Sequence, residues 1–234
     1  MNYNIGDTPF TSGIHKGTYI KEIAQSNFQY LRRYLAFDSD CPEHEAIEAI
    51  VKGYAWINRP IEIPDELILD SMQFAGILAP TLTHLPNLNK IEQDIVDGRI
   101  AEWVTKYILS DIYSSITPPD ENVYLTDKRW KPNLVCITTG QEFSVHSQNT
   151  KSAKNNGESW VFSMHDPEFK GRCDPKRKEC FVLIDLGEKI AKLRTIINIG
   201  TIHTKHLFKD LQKLGYDKKC VYYKDIEDIN KCEI

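Results

Sequence analysis

The sequence predicts an α/β (α+β) protein: a mixed central sheet flanked by helices, with a small α/β module ahead of it. Three observations point to this class. Residues 98–109, GRIAEWVTKYIL, carry apolar side chains at helical spacing. Residues 133–138 and 142–147 are strand-like runs on either side of a Thr-Gly turn. Residues 159–164 and 179–186 read as further strands, the second so continuously apolar that it is expected to be central and buried on both faces. With 234 residues and 41% hydrophobic content, the chain can bury one substantial core plus a small accessory unit. The expected division is 1–57 for the N-terminal module, 58–89 for a helical connector and 90–234 for the main domain.

In the first module, Gly13 and Gly17 can supply turns with positive φ, and Leu31, Tyr34 and Leu35 form an apolar helix face. Arg32 and Arg33 would project elsewhere, with Lys16, as candidate phosphate contacts. His15-Lys16-Gly17 followed by Tyr30-Leu31-Arg32, within residues 6–56, resembles the small domain appended to some DNA exonucleases. In the connector, IPDELILDSMQFAGIL predicts a helix from near Asp65, with Pro80 breaking it.

The main domain follows the order helix, hairpin, polar segment, two strands, then a strand at 194–200 and a helix from Thr201 to about Leu214, ended by Gly215. Residues 147–157 have no apolar period and are expected to form an exposed loop. Across the hairpin, Asn133, Ser144 and His146 could converge at one edge, joined by Glu102 from the preceding helix.

That order resembles the restriction-endonuclease-like (PD-(D/E)XK-type) family, in which a helix glutamate precedes a Pro-Asp strand and an acidic-x-Lys strand. Glu102 matches the helix carboxylate, Pro132-Asn133 the Pro-Asp pair, and Ser144-Val145-His146 the acidic-x-Lys triplet. The resemblance implies an endonuclease cutting double-stranded DNA in a restriction or phage-defence setting. It implies Mg2+ or Mn2+ held by Glu102 and Asn133, Ser144 nearby, and His146 beside the phosphate and attacking water. Carboxylates hold such hard cations well, whereas the Asn133 amide and the Ser144 hydroxyl are weaker neutral ligands. His146 can contact phosphate or relay a proton. The departures leave two readings open: an inactivated copy, or a variant site with Glu142, Asp127 or Asp111 supplying oxygens.

Beside this centre, Gln148, Asn149, Lys151 and Lys154 are candidate DNA contacts, since amides and lysines donate to phosphate oxygens. A different class of function is a non-catalytic DNA-binding or protein-interaction module that keeps a degenerate nuclease fold. Net charge is −4, unevenly spread: residues 38–102 hold 4 basic and 13 acidic side chains, a local −9, leaving +5 elsewhere. The acidic stretch is expected to face away from DNA or to meet a protein partner. The two-fold symmetry of duplex DNA makes a homodimer one arrangement.

No run is long and apolar enough to span a bilayer and the start lacks a signal pattern, so a cytoplasmic protein without membrane contact is expected. The six cysteines are then expected to be reduced. His165, Cys173 and Cys180, with Cys136, offer zinc ligands, but the Cys-x6-Cys spacing is not that of a zinc ribbon, so buried or loop thiols are the expectation. His203 and His206 are expected to share a helix face as a solvated pair.

Overall fold

Helix α1 (His44–Trp56) turns Ile47 and Ile50 toward Ile20, Ile23 and Leu31, forming a small core of their own. Gly17 there has the positive φ of +83° expected of a turn glycine. The computed structural model describes residues 9, 17–20, 22–23, 30–31, 34, 43–82, 87–120, 133–163, 168–171, 174–210 and 218–227. Lys16, Arg32, Arg33, Asp127, Pro132, His165 and Cys173 lie outside them.

A two-residue strand, β1 (Ile61–Glu62), leads into α2 (Asp65–Leu78). Pro64 is extended at the N-cap of α2, and Asp65 and Glu66 in its first turn complement the helix dipole. A 3-10 turn at Ala79–Thr81, containing Pro80, ends it where the proline predicts. Helix α3 (Leu88–Ile112) begins after Asn87, whose side chain accepts from the Lys90 amide at 3.3 Å. It buries Val96, Ile100, Ala101, Val104, Ile108 and Leu109 against the sheet.

The remaining elements are β2 (Leu134–Val135), β3 (Glu142–Asn149), α4 (Thr150–Asn156), β4 (Ser159–Ser163), β5 (Lys178–Asp185), β6 (Ile190–Asn198), α5 (Ile199–Thr204), β7 (Lys209–Asp210), β8 (Lys218–Tyr222) and α6 (Tyr223–Ile226). The chain is thus α/β, with a mixed sheet ordered β1-β6-β5-β3-β2 and a smaller antiparallel sheet ordered β4-β8-β7. Among the described residues of the larger sheet, only β3 and β5 run parallel. β5 lies at its centre with Cys180, Phe181, Val182 and Ile184 fully buried, as its unbroken apolar run predicts. Asp185 closes the β5–β6 hairpin by accepting from the Gly187 and Glu188 amides, both at 3.1 Å. The Glu188 bond in particular holds its carboxyl below the usual carboxylate range.

Strand alternation sorts the side chains of β3 and β5 onto two faces. Phe143, Cys180, Val182 and Ile184 join the core under α3. Ser144, His146, Glu179 and Phe181 point to the other side, where Phe181 packs with Trp160, Phe162 and Ile197 in a second core.

Two segments differ from the sequence expectation. Residues 147–157 form the end of β3 and then α4, because Asn149 caps α4 by accepting from the Ser152 amide at 2.8 Å. Of the helix expected at 201–214, residues 201–204 lie in the short α5 and residues 209–210 form β7, which pairs with β8, while residues 211–215 lie outside the described residues. A sheet edge claims that backbone, overriding a helical pattern.

A register shift at Phe181/Val182 lets Arg194 of β6 leave the ladder. Its guanidinium bonds Glu158 at 2.5 and 3.3 Å, donates to Asn58, and lies 4.0 Å over the Tyr223 ring. One residue thereby ties β1's approach, β4's start and α6 to the main sheet. Arg194→Ala is expected to lower unfolding free energy by about 2–3 kcal/mol, from a partly buried ion pair plus a cation–π contact. Urea denaturation checks this, and a loss under about 0.5 kcal/mol would show the staple to be idle.

Candidate functional site

The hairpin and α3 do bring Glu102 and Asn133 together. Asn133 precedes β2, and its Oδ1 accepts from the Val145 amide of β3 at 2.7 Å. Only an oxygen can meet an N–H donor, so the amide's orientation is fixed and Nδ2 faces outward. That Nδ2 donates to Glu102 Oε1 at 2.6 Å. On the other carboxylate oxygen, Arg99 Nη1 stands 3.7 Å from Glu102 Oε2. Arg99 is itself buried, donates to the Asp120 carbonyl at 2.8 Å and lies 4.8 Å from the Phe74 ring. Asn133 thus extends the β2–β3 ladder with its side chain and clamps the helix to it.

Ser144 and His146 do not join this pair. Both lie on the opposite face of β3, in a buried polar network. Arg177 donates through Nε to Ser144 Oγ at 2.7 Å and through Nη2 to Glu168 Oε1 at 2.8 Å. His146 Nε2 meets Glu179 Oε2 at 2.7 Å, with its ring 4.4 Å from Phe162 and 5.4 Å from Phe181. Glu179 is fully buried, and among the described residues its Oε1 has no hydrogen-bond partner. Burial raises the Glu168 carboxyl pKa, with Glu179 adding to the rise and Arg177 and His146 opposing it. The expected convergence of Asn133, Ser144 and His146 at one edge is therefore corrected. Residues 144 and 146 share a face by the two-residue period, while Asn133 engages the backbone of residue 145 between them.

Of the candidate DNA contacts, two serve the fold. Gln148 accepts from the Ser159 amide at 2.9 Å and donates to the Gly157 carbonyl at 3.1 Å. Besides capping α4, Asn149 donates to Asp97 at 2.9 Å. Lys151 and Lys154 are exposed on α4.

Asp97, on α3, is buried and its pKa is raised from the ordinary 3.8 by desolvation, although bonds from Asn149 and Gln93 oppose the rise. The folded state therefore holds its proton more tightly than the unfolded chain. The stability linked to Asp97 falls as pH rises from 3.8 through the raised value, then stays level. Asp97→Asn removes this dependence. Its urea midpoint relative to the parent protein is expected to climb with pH across that window and to be flat above it, and a pH-independent difference would contradict the assignment.

Sequence reading missed Arg99, Arg177, Glu168 and Glu179. Glu179 carried a signal, a charge directly abutting the apolar run CFVLI, since a charge buried in a central strand needs a partner. Arg177 and Glu168 lie in a charge-dense stretch with no such contrast. The variant ligands fare no better as a set: Asp111 accepts from Trp56 Nε1 at 2.9 Å, and Glu142 begins β3 opposite Val135.

The donor set around Glu102 does not fit a divalent cation. Asn133 presents an N–H donor to the carboxylate, and its one oxygen is committed to Val145. Among the described residues, no three His, Cys, Asp or Glu side chains are grouped to hold a metal ion. Cys136 and Cys180 are buried. His203 bonds the Glu168 carbonyl at 2.6 Å, and His206 lies past the end of α5 with φ +53°, so the two share no helix face. Among the described residues, no helix is long and apolar enough to cross a membrane. No family model, curated protein or solved structure matches the chain.

Proposed function

We propose that this chain is a restriction-endonuclease-like domain in an inactivated form, one that binds duplex DNA without hydrolysing it. The observation that carries the reading is Asn133. It sits where the resemblance places an aspartate, touches Glu102 where that resemblance places the second ligand, and fills the space between them with an amide N–H. Helix α3 followed by the β2–β3 hairpin supplies the order that the resemblance implies. Ser144 is engaged in the interior and the half-buried His146 is engaged by Glu179, so the other two matched positions are occupied. Lys151 and Lys154 on α4 supply exposed positive charge for the DNA backbone.

The second reading, an active metal-dependent endonuclease, keeps the proximity of Glu102 and Asn133 in its favour but requires the Asn133 Nδ2–Glu102 bond to open. A single substitution then separates the two. The test is incubation of mixed-sequence plasmid with the protein and with Asn133→Asp, in Mg2+ or Mn2+ and with a chelator control, alongside gel-shift binding. The expected result is binding by both proteins and metal-dependent fragments from Asn133→Asp alone. Fragments from the unaltered protein would support the active enzyme, and loss of all DNA binding at low salt would sink both readings.

A further inference from the structure

The outer face of α3 beside Glu102 carries a cluster that the nuclease resemblance does not use. Tyr107 is 60% exposed, a large aromatic surface that contributes little to the core. Its ring meets Trp56 of α1 edge-on at 5.6 Å, and the Trp56 indole is pinned by its bond to Asp111 at 2.9 Å. Arg59 lies 4.5 Å over Trp56. One turn back along α3, Trp103 has Lys106 at 5.5 Å and Arg99 at 5.7 Å from its ring. Three aromatic rings interleaved with cations therefore span the α1–α3 surface, and Trp103 is the residue after Glu102.

We infer that this surface is a stacking site for unpaired nucleobases, with single-stranded nucleic acid as its ligand. The inference rests on the DNA-binding reading above and adds unpaired bases to duplex DNA as a ligand. A base has two π-faces that water hydrates poorly, and an exposed, rigidly backed tyrosine ring offers a partner for one of them. Arg59 and Lys106 stand where a strand's phosphates would pass. The acidic balance of residues 38–102 is opposed locally by Arg59 and Lys106, and Arg99 stands 3.7 Å from Glu102, while Asp111 keeps its charge as it accepts from Trp56. Paired bases are excluded from Tyr107 because both faces of each are covered within the duplex stack. An end, a bulge or an opened stretch presents the uncovered face that the ring needs.

The test uses the full chain and fluorescence anisotropy with labelled oligo(dT) and, separately, a labelled short duplex. Tyr107→Ala is expected to weaken oligo(dT) binding about 5- to 100-fold, the range for loss of one base–aromatic stack, with duplex binding and the thermal midpoint unchanged. Tyr107→Phe retains the stack and is expected to bind like the unaltered protein. Arg59→Ala is expected to weaken oligo(dT) binding and reduce its salt dependence. Unchanged oligo(dT) binding by Tyr107→Ala, or equal loss in Tyr107→Phe, would overturn the stacking site. If that happens while duplex binding still depends on Lys151 and Lys154, this inference fails and the proposed function stands. If oligo(dT) binds through Tyr107 but duplex does not bind, the proposed function fails and the stacking site stands. Binding of neither probe overturns both.

Discussion

Arg177→Met is expected to lower the unfolding free energy by about 3–5 kcal/mol, the range for breaking a buried pair and leaving one charge behind. Arg177 is 4% exposed and satisfies two partners, Glu168 at 2.8 Å and Ser144 at 2.7 Å. Without it, the Glu168 carboxylate, whose pKa burial already raises, has lost its nearest cation. A domain of ordinary stability, about 5–15 kcal/mol, loses a large fraction of it. The expected rescue is specific: adding Glu168→Gln to Arg177→Met recovers part of the loss, because the stranded charge is gone. The pH dependence carries the same sign. Below the raised Glu168 pKa the carboxyl is neutral, so the Arg177→Met penalty shrinks there and reaches full size above it. Urea denaturation of both single variants and the double variant measures the coupling, and strictly additive effects would show that the pair does not act as one.

Asn133→Asp carries the second large expected effect, in stability as well as in cleavage. An aspartate can still accept from the Val145 amide, but its other oxygen then faces Glu102 across the present 2.6 Å contact. Two carboxylates so placed repel by several kcal/mol unless a proton or a cation intervenes; at an effective dielectric near 20 the cost is on the order of 2–4 kcal/mol after small relaxation. Without divalent ions the variant is therefore expected to be destabilised at neutral pH, and Mg2+ or Mn2+ is expected to recover most of the loss. The unaltered protein is expected to show no divalent-dependent shift in thermal midpoint. A shift of equal size in both proteins would place the ion elsewhere.

Much of the frame was legible because apolar periodicity records burial. The run 98–109 lies within α3, 133–138 contains β2, 142–147 lies within β3, and the apolar 179–186 run overlaps the central β5. Short elements whose existence depends on a distant partner were not legible. β1 is two residues long and is a strand only because it pairs with β6. Likewise β7 depends on β8. The site divided along the same line. Glu102 and Asn133 share a contact that the order of elements suggests, whereas the partners of Ser144 and His146 come from 168–179, a stretch without apolar period. Gln148 and Asn149 show how polarity misleads: side chains that look free to read DNA are the acceptors and donors that let the backbone turn from β3 through α4 to β4.

The single parallel pairing in the larger sheet also governs the order in which the chain can assemble. β5 and β6 meet across a four-residue turn, so their hairpin forms at little loop-closure cost. β3 must wait for β5, because Phe143 aligns with Lys178 only after the whole of α4 and β4 has been threaded between them. β1 comes from still farther away in the chain, to Ala191. The β5–β6 ribbon is thus the early scaffold, and the β2–β3 hairpin, with Asn133 bound to it, docks late, onto a surface already in place. Changes at Asn133 or Glu102 would accordingly show themselves in how fast the protein comes apart, and changes in the 186–189 turn in how fast it forms.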